Sequence, residues 1–176
     1  MDLFDIKNKV FVVTGGTGTL GFSLIEYLIE AGAKVALLTR TIGKAQDLLS
    51  SHSFSQSSIR AYQVDVLQKS LLQNTSKKII NDFNSIDVLI NAVGGNLAGA
   101  TIPDGGSVFD MEESDFDQVV DLNLKGTVLP TLIFGQIMSK QKSASIINYS
   151  SLSVSRVMTR VVGYSAAKAA MENFTR

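Results

Sequence analysis

Two rhythms of hydrophobic and polar positions alternate along the chain. Short β-branched or apolar runs give way to longer stretches with apolar residues every three or four positions. Residues 10–14 (VFVVT) end in glycines and predict a buried strand. Residues 20–31 then carry Leu20, Leu24, Leu28 and Ala31 at helical spacing, and Gly32 stops that helix. Residues 34–39 (KVALLT) predict a second strand, 43–50 a short helix and 59–66 (IRAYQVDV) a third strand. Residues 71–83 predict a helix with Leu71, Leu72, Ile79, Ile80 and Phe83 on its inner face. Residues 86–92 (IDVLINA) predict a fourth strand too apolar to have a wet face. A glycine-rich loop at 94–106 follows, and loops of this length in a compact domain tend to be functional. One helix is expected from about Ser114 and a second over 126–140, then a fifth strand at 145–151 (SIINYSS) and a last helix from Tyr164 onward. Strand–helix alternation with nearly continuous apolar strands predicts an α/β fold, a doubly wound parallel sheet with helices on both faces. Ligands of such sheets sit beyond the carboxyl ends of the strands.

Composition narrows the chemistry. The chain has 176 residues, of which 45% are hydrophobic and 18% charged, which suits one globular domain. Lys plus Arg equals Asp plus Glu at 16 each, leaving no electrostatic footprint for nucleic acid or an anionic membrane. Without cysteine there is neither a disulfide framework nor a thiolate nucleophile. The single histidine, His52, excludes a His-rich metal site and reads as part of a polar surface loop, SHSFSQSS. No apolar run approaches the ~20 residues of a membrane span. The charged start MDLFDIKNK lacks the apolar core of a secretory signal, so the cytoplasm is the expected location.

The turn after the first strand, TGGTGTLG at 14–21, places Gly16, Gly18 and Gly21 in the pattern G-x-G-x-x-G between a strand and a helix. Glycines allow a tight turn and close approach of backbone to a pyrophosphate, which free N–H groups and the helix dipole then favour. A bare βα turn without ligand is the alternative. At the end of the second strand stand Thr39 and Arg40. A carboxylate there would accept from a ribose 2′-hydroxyl and repel a 2′-phosphate, whereas a guanidinium can pair with that phosphate. NADP(H) is therefore favoured and NAD(H) is the alternative, with Arg40 then a solvated surface residue. In YSAAK, Tyr164 and Lys168 are four apart and share a helix face. An ammonium near a phenol stabilises phenolate, which makes a tyrosine usable as an acid/base near neutral pH.

Taken in order, these motifs resemble the short-chain dehydrogenase/reductases over essentially the whole chain. The family's T-G-x-x-x-G-x-G pattern matches Thr14, Gly15 and Gly21, with Thr19 in place of the middle glycine and Gly18 one position earlier. The resemblance implies a Rossmann-type fold and a cofactor bound by Gly15, Thr17, Gly18, Thr19, Leu20 and Gly21. It implies adenine contacts from Asp65 and Val66, and further cofactor contacts from Asn91, Ala92 and Gly94 of the NAVG motif. Asn123 in DLNLKG matches the family's helix asparagine. The catalytic serine precedes the tyrosine by thirteen residues, which selects Ser151 over Ser150. By resemblance, Tyr164 exchanges a proton with the carbonyl or alcohol oxygen and Ser151 hydrogen-bonds it. Lys168 assists Tyr164 and holds the nicotinamide ribose, and Asn123 supports a water leading from Lys168 to solvent.

The substrate is less legible. The loop after Gly94 is longer than is usual in the family. Arg156 and Arg160 lie between Ser151 and Tyr164, at the rim of the expected pocket. NAVGGN, DLNLKGT and the MTR before YSAAK look most like the sugar-acid (fructuronate or mannonate) reductase branch, in which an arginine could pair with a substrate carboxylate. A surface or subunit-contact arginine is the alternative. Other expectations are a reductase of a neutral ketone, polyol or acyl substrate, or a non-catalytic NADP(H)-binding sensor or scaffold. The resemblance implies a sheet of seven strands, of which five are read here. At roughly 30 residues per βα unit, some ~60 residues are expected beyond the last helix, and the fifth strand is expected to be an exposed apolar edge. Homodimers or homotetramers built on the helices around Asn123 and Tyr164 are implied as well.

Overall fold

The computed structural model describes residues 5–52, 54–156 and 158–176; the first four residues of the N-terminal segment, Ser53 of the polar loop and Val157 between the two arginines lie outside the described residues. Five strands form one parallel sheet in the order β3-β2-β1-β4-β5. They are β1 (Val10–Thr14), β2 (Lys34–Thr39), β3 (Ile59–Gln63), β4 (Val88–Asn91) and β5 (Ser145–Asn148). The helices are α1 (Thr19–Glu30), α2 (Ile42–Ser50), α3 (Lys69–Phe83), α4 (Glu113–Val120), α5 (Gly126–Met138) and α6 (Val162–Thr175). No helix of the described residues is long and apolar enough to cross a membrane.

Both faces of the sheet are buried, so each central strand alternates between two cores. Val10 and Val12 of β1, Ala36 and Leu38 of β2 and Leu89 of β4 pack on one side with Leu72, Ile79, Ile133 and Phe134 from α3 and α5. Phe11, Val13, Val35, Leu37 and Ile90 pack on the other side with Ile25 and Leu28 of α1 and Ala45 of α2. Strand order reverses between β1 and β4. The carboxyl ends of these two strands therefore border the crevice where doubly wound sheets bind ligands. Among the described residues β5 pairs only with β4, and Ile146 and Ile147 are exposed.

Several local expectations need correcting. The third, fourth and fifth strands are shorter than their apolar runs, because their ends bend away as loops. In α1 the inner face is Gly21, Ile25 and Leu28, while Leu20, about 100° round the helix from Gly21, is 73% exposed. In α3 the buried residues are Leu72, Thr75, Ser76, Ile79 and Phe83, and Leu71 turns outward. The two helices expected near Ser114 and Gly126 are one continuous helical element. α4 runs into α5 through a π-helical turn, Asp121–Lys125. His52 is not loosely solvated: its ring stacks on Phe54 (centroids 5.3 Å apart) and meets Phe22 edge-on, and its Nε2 lies 3.1 Å from Glu26.

The neighbouring leucines of α3 give a direct test of this packing. Leu72→Ala should lower unfolding free energy by about 2–5 kcal/mol. Leu71→Ala should stay within about 0.5 kcal/mol of wild type in the same urea titration.

Candidate active site

The crevice is built on a close approach of two backbones. β1 ends at Thr14, a fully buried hydroxyl that accepts from Ala92 N (3.2 Å) and Val93 N (3.3 Å) and so ties the end of β1 to the loop after β4. Gly15 follows with φ +70°, and a Cβ there would lie 2.6 Å from the Ala92 carbonyl oxygen. A Cβ on Gly21 would lie 2.5 Å from Gly15 O, so the start of α1 can lie against the turn only as glycine. Gly18 is the N-cap of α1 and provides no side-chain cap, which leaves first-turn N–H groups free for an anion. Thr19, where the family pattern has glycine, is simply the first helical residue.

A cleft of about 250 Å³ opens above this turn. Gly15, Thr17 and Gly18 form its floor, Thr39 and Arg40 one end, Asp65 and Val66 a wall, and Ala92 and Gly94 the far side. Asp65 Oδ1 accepts from Leu67 N at 2.9 Å, which fixes its carboxylate at the rim. Thr19, Leu20 and Gly21 stand outside the lining. So does Asn91, which was expected at the cofactor. Its Nδ2 donates to Thr131 (3.0 Å) and to Asn148 Oδ1 (2.8 Å), drawing the buried amide into the β4–β5–α5 junction. Sequence reasoning missed Lys44 and Leu122, which also line the cleft. Arg40 directly follows β2 and Lys44 lies in the first turn of α2, and both line the cleft. No carboxylate stands at the end of β2 to oppose a 2′-phosphate. A nicotinamide dinucleotide fits this cradle.

Deeper along the same wall, three elements converge. Lys168 of α6 is 4% exposed and its Nζ donates to the Tyr149 carbonyl at 2.7 Å. Burial pushes its pKa below the usual lysine range. Asn123 sits in the π turn, fully buried, and clamps both backbone groups of one residue: Nδ2 donates to Gly95 O (2.8 Å) and Oδ1 accepts from Gly95 N (2.9 Å). The wider π turn disturbs the regular helical ladder, and Asn123 Nδ2 also donates to Val119 O (2.8 Å). A Cβ on Gly94 would lie 2.6 Å from Asn123 Oδ1 and 3.2 Å from Lys168 Nζ, so loop, π turn and α6 are in contact. Tyr164 is half-buried, with its ring centroid 5.9 Å from Lys168 Nζ. Ser151 caps a short turn, its Oγ accepting from Ser153 N at 3.2 Å. Ser150 instead donates to Glu172 on α6 (3.1 Å).

The two arginines differ. Arg156 is exposed and makes no ion pair among the described residues. Arg160 is not a free guanidinium at the rim: it pairs with Asp104 and donates from Nε to Ile102 O.

The short chain dehydrogenase family model matches residues 9–176. The chain belongs to this family. It is 36% identical to the uncharacterized oxidoreductase UxuB of Bacillus subtilis (strain 168), an alignment covering 97% of this chain and 64% of the relative. Among solved structures it is similar to a "putative D-Mannonate oxidoreductase" from Haemophilus influenza with bound NAD (TM-score 0.88, 32% identity, 97% of this chain and 65% of that one). It is also similar to an NAD+-bound xylitol dehydrogenase (TM-score 0.87, 26% identity, 97% and 63%). The chain thus spans somewhat less than two thirds of these short-chain dehydrogenases.

The glycine turn supplies the next test. Gly15→Ala should weaken binding of a nicotinamide dinucleotide about tenfold or more, because a left-handed residue gains a Cβ against Ala92 O. Gly43→Ala, with nothing within 4 Å, should leave affinity unchanged in the same fluorescence titration.

Proposed function

We propose that this short-chain dehydrogenase is an oxidoreductase that interconverts a carbonyl and a secondary alcohol. The observation that carries the reading is the meeting of Asn123 and Lys168 at Gly94, which itself lines the cleft, with the Lys168 Nζ 5.9 Å from the centre of the Tyr164 ring. The bound nicotinamide supplies or accepts the hydride. Tyr164 donates a proton to the carbonyl oxygen in reduction and removes it from the alcohol in oxidation. Ser151 offers its hydroxyl to the same oxygen. Lys168, desolvated and held by the Tyr149 carbonyl, stabilises the deprotonated tyrosine and stands ready to hold the nicotinamide ribose. Asn123 keeps Gly94 and Gly95 in place beside it.

The preferred coenzyme in this reading is NADP(H), because Arg40 and Lys44 share the adenosine end of the cleft. The substrate is a sugar acid, a hexuronate such as fructuronate with mannonate as its alcohol. Similarity to the Haemophilus influenza protein supports that class, and the exposed Arg156 is available for its carboxylate. A polyol is the second reading, favoured by the likeness to a xylitol dehydrogenase. Initial rates with fructuronate, mannonate and xylitol, each with both coenzymes, separate these readings.

Two variants test the chemistry. Tyr164→Phe should lower turnover by at least about 10²-fold while leaving the Kd for NADPH essentially unchanged; near-normal turnover would overturn the acid/base role. Replacing Arg40 and Lys44 together by alanine should raise the Kd for NADPH about tenfold or more and leave NADH binding unaltered. An equal effect on both coenzymes would remove the 2′-phosphate assignment.

A further inference from the structure

The 96–106 loop is fastened at three places. At its base, Asn123 holds both backbone groups of Gly95. At its far end, Ser107 N donates to Asp110 Oδ2 (2.8 Å) and Ser107 Oγ accepts from Phe109 N (3.2 Å), closing a tight turn. Between them, Ala100 is fully buried, and Ile102 exchanges bonds with a single residue far along the chain. Ile102 N donates to Arg160 O at 2.9 Å, and Arg160 Nε donates back to Ile102 O. The same guanidinium reaches Asp104 through Nη1.

Arg160 adopts φ +70°, a left-handed conformation uncommon for a non-glycine residue. The bend carries the chain from the loop contact directly into α6, where Tyr164 is the third residue. A closed circuit of contacts results. It runs from Gly94 and Gly95 along the loop to Ile102, across to Arg160, down α6 through Tyr164 to Lys168, and back to Gly94.

We infer that Arg160 is a positioning residue, a clasp that fixes the 96–106 loop to the acid/base helix so that loop and Tyr164 keep one geometry. Asp104 is 92% exposed, and an ion pair that open contributes little by itself. The reciprocal pair with Ile102 carries the clasp, and Asp104 orients the guanidinium. Arg160 thus acts on any substrate through the shape of the site, not through a charge offered to a carboxylate. The kinetic part of this inference rests on the oxidoreductase reading; the structural part does not.

The test compares wild type, Arg160→Gly and Arg160→Lys by hydrogen–deuterium exchange and by steady-state kinetics on a hexuronate and on a neutral polyol. Glycine tolerates the left-handed backbone while removing the guanidinium, so its effect reports the clasp and not strain. Arg160→Gly should speed amide exchange within 96–106 by about tenfold or more. It should raise KM and lower kcat for acidic and neutral substrates alike, with the Kd for NADPH little altered. Arg160→Lys should restore only part of this, because an ammonium lacks the planar fork. Unchanged exchange in the loop would overturn the clasp. A KM increase confined to the hexuronate would overturn it too, since that marks a carboxylate ligand. Exchange decides the structural part even without turnover; a wild-type protein that reduces or oxidises none of these substrates counts against the oxidoreductase reading alone.

Discussion

Everything at the carboxyl edge of the sheet depends on how closely the turn after β1 approaches the loop after β4. The strands β1 and β4 are hydrogen-bonded neighbours, and Thr14 continues their pairing one step further through its side chain. The next residue must then pass the Ala92 carbonyl with no room for a Cβ. That steric limit brings the start of α1 and residues 92–95 to opposite sides of one narrow crevice. An anion at the helix start and a reacting group beside Lys168 thereby become two ends of a single extended ligand.

The second half of the site is organised by buried polar groups that are satisfied locally. Asn123 is deep in the protein, where an unpaired amide would be costly. Its hydrogen bonds to Gly95 and Val119 make it a bracket between helix and loop. Lys168 is nearly as buried, yet it has a carbonyl to donate to, and its lowered pKa records the burial. The two groups meet over Gly94, where the absence of a side chain lets them approach.

Much of this was legible in the order of residues, and the misses have physical reasons. The alternation of Val10 to Val13 between two cores is the pattern of a strand covered on both faces. Nine of the expected cofactor positions do line the cleft, because a βα turn leaves its glycines and the ends of β2 and β4 few places to go. Leu20 and Leu71 fit the helical spacing, yet each lies one residue, about 100°, off the buried stripe that runs through Gly21, Ile25 and Leu28 or through Leu72, Thr75 and Ile79. Thr75 and Ser76 are buried although polar, which no hydrophobic pattern reveals. Lys44 belongs to no motif, and only the fold brings the first turn of α2 to the cleft that Arg40 also lines. The hydrogen bonds of the Asn91 amide to Thr131 and Asn148 join residues 40 and 57 positions apart, a pairing that only the fold reveals.

The π turn has a consequence for what this helix can tolerate. α4 offers Val119 toward α6, whereas α5 offers Ile133 and Phe134 toward the sheet. The wide turn holds one residue more than a regular helical turn, so deleting one residue from 121–125 would close it to an ordinary turn and leave α5 with nearly the same bearing on the sheet. What such a shortening would take away is the station of Asn123, and with it the bracket on Gly95, while both apolar stripes stay in phase.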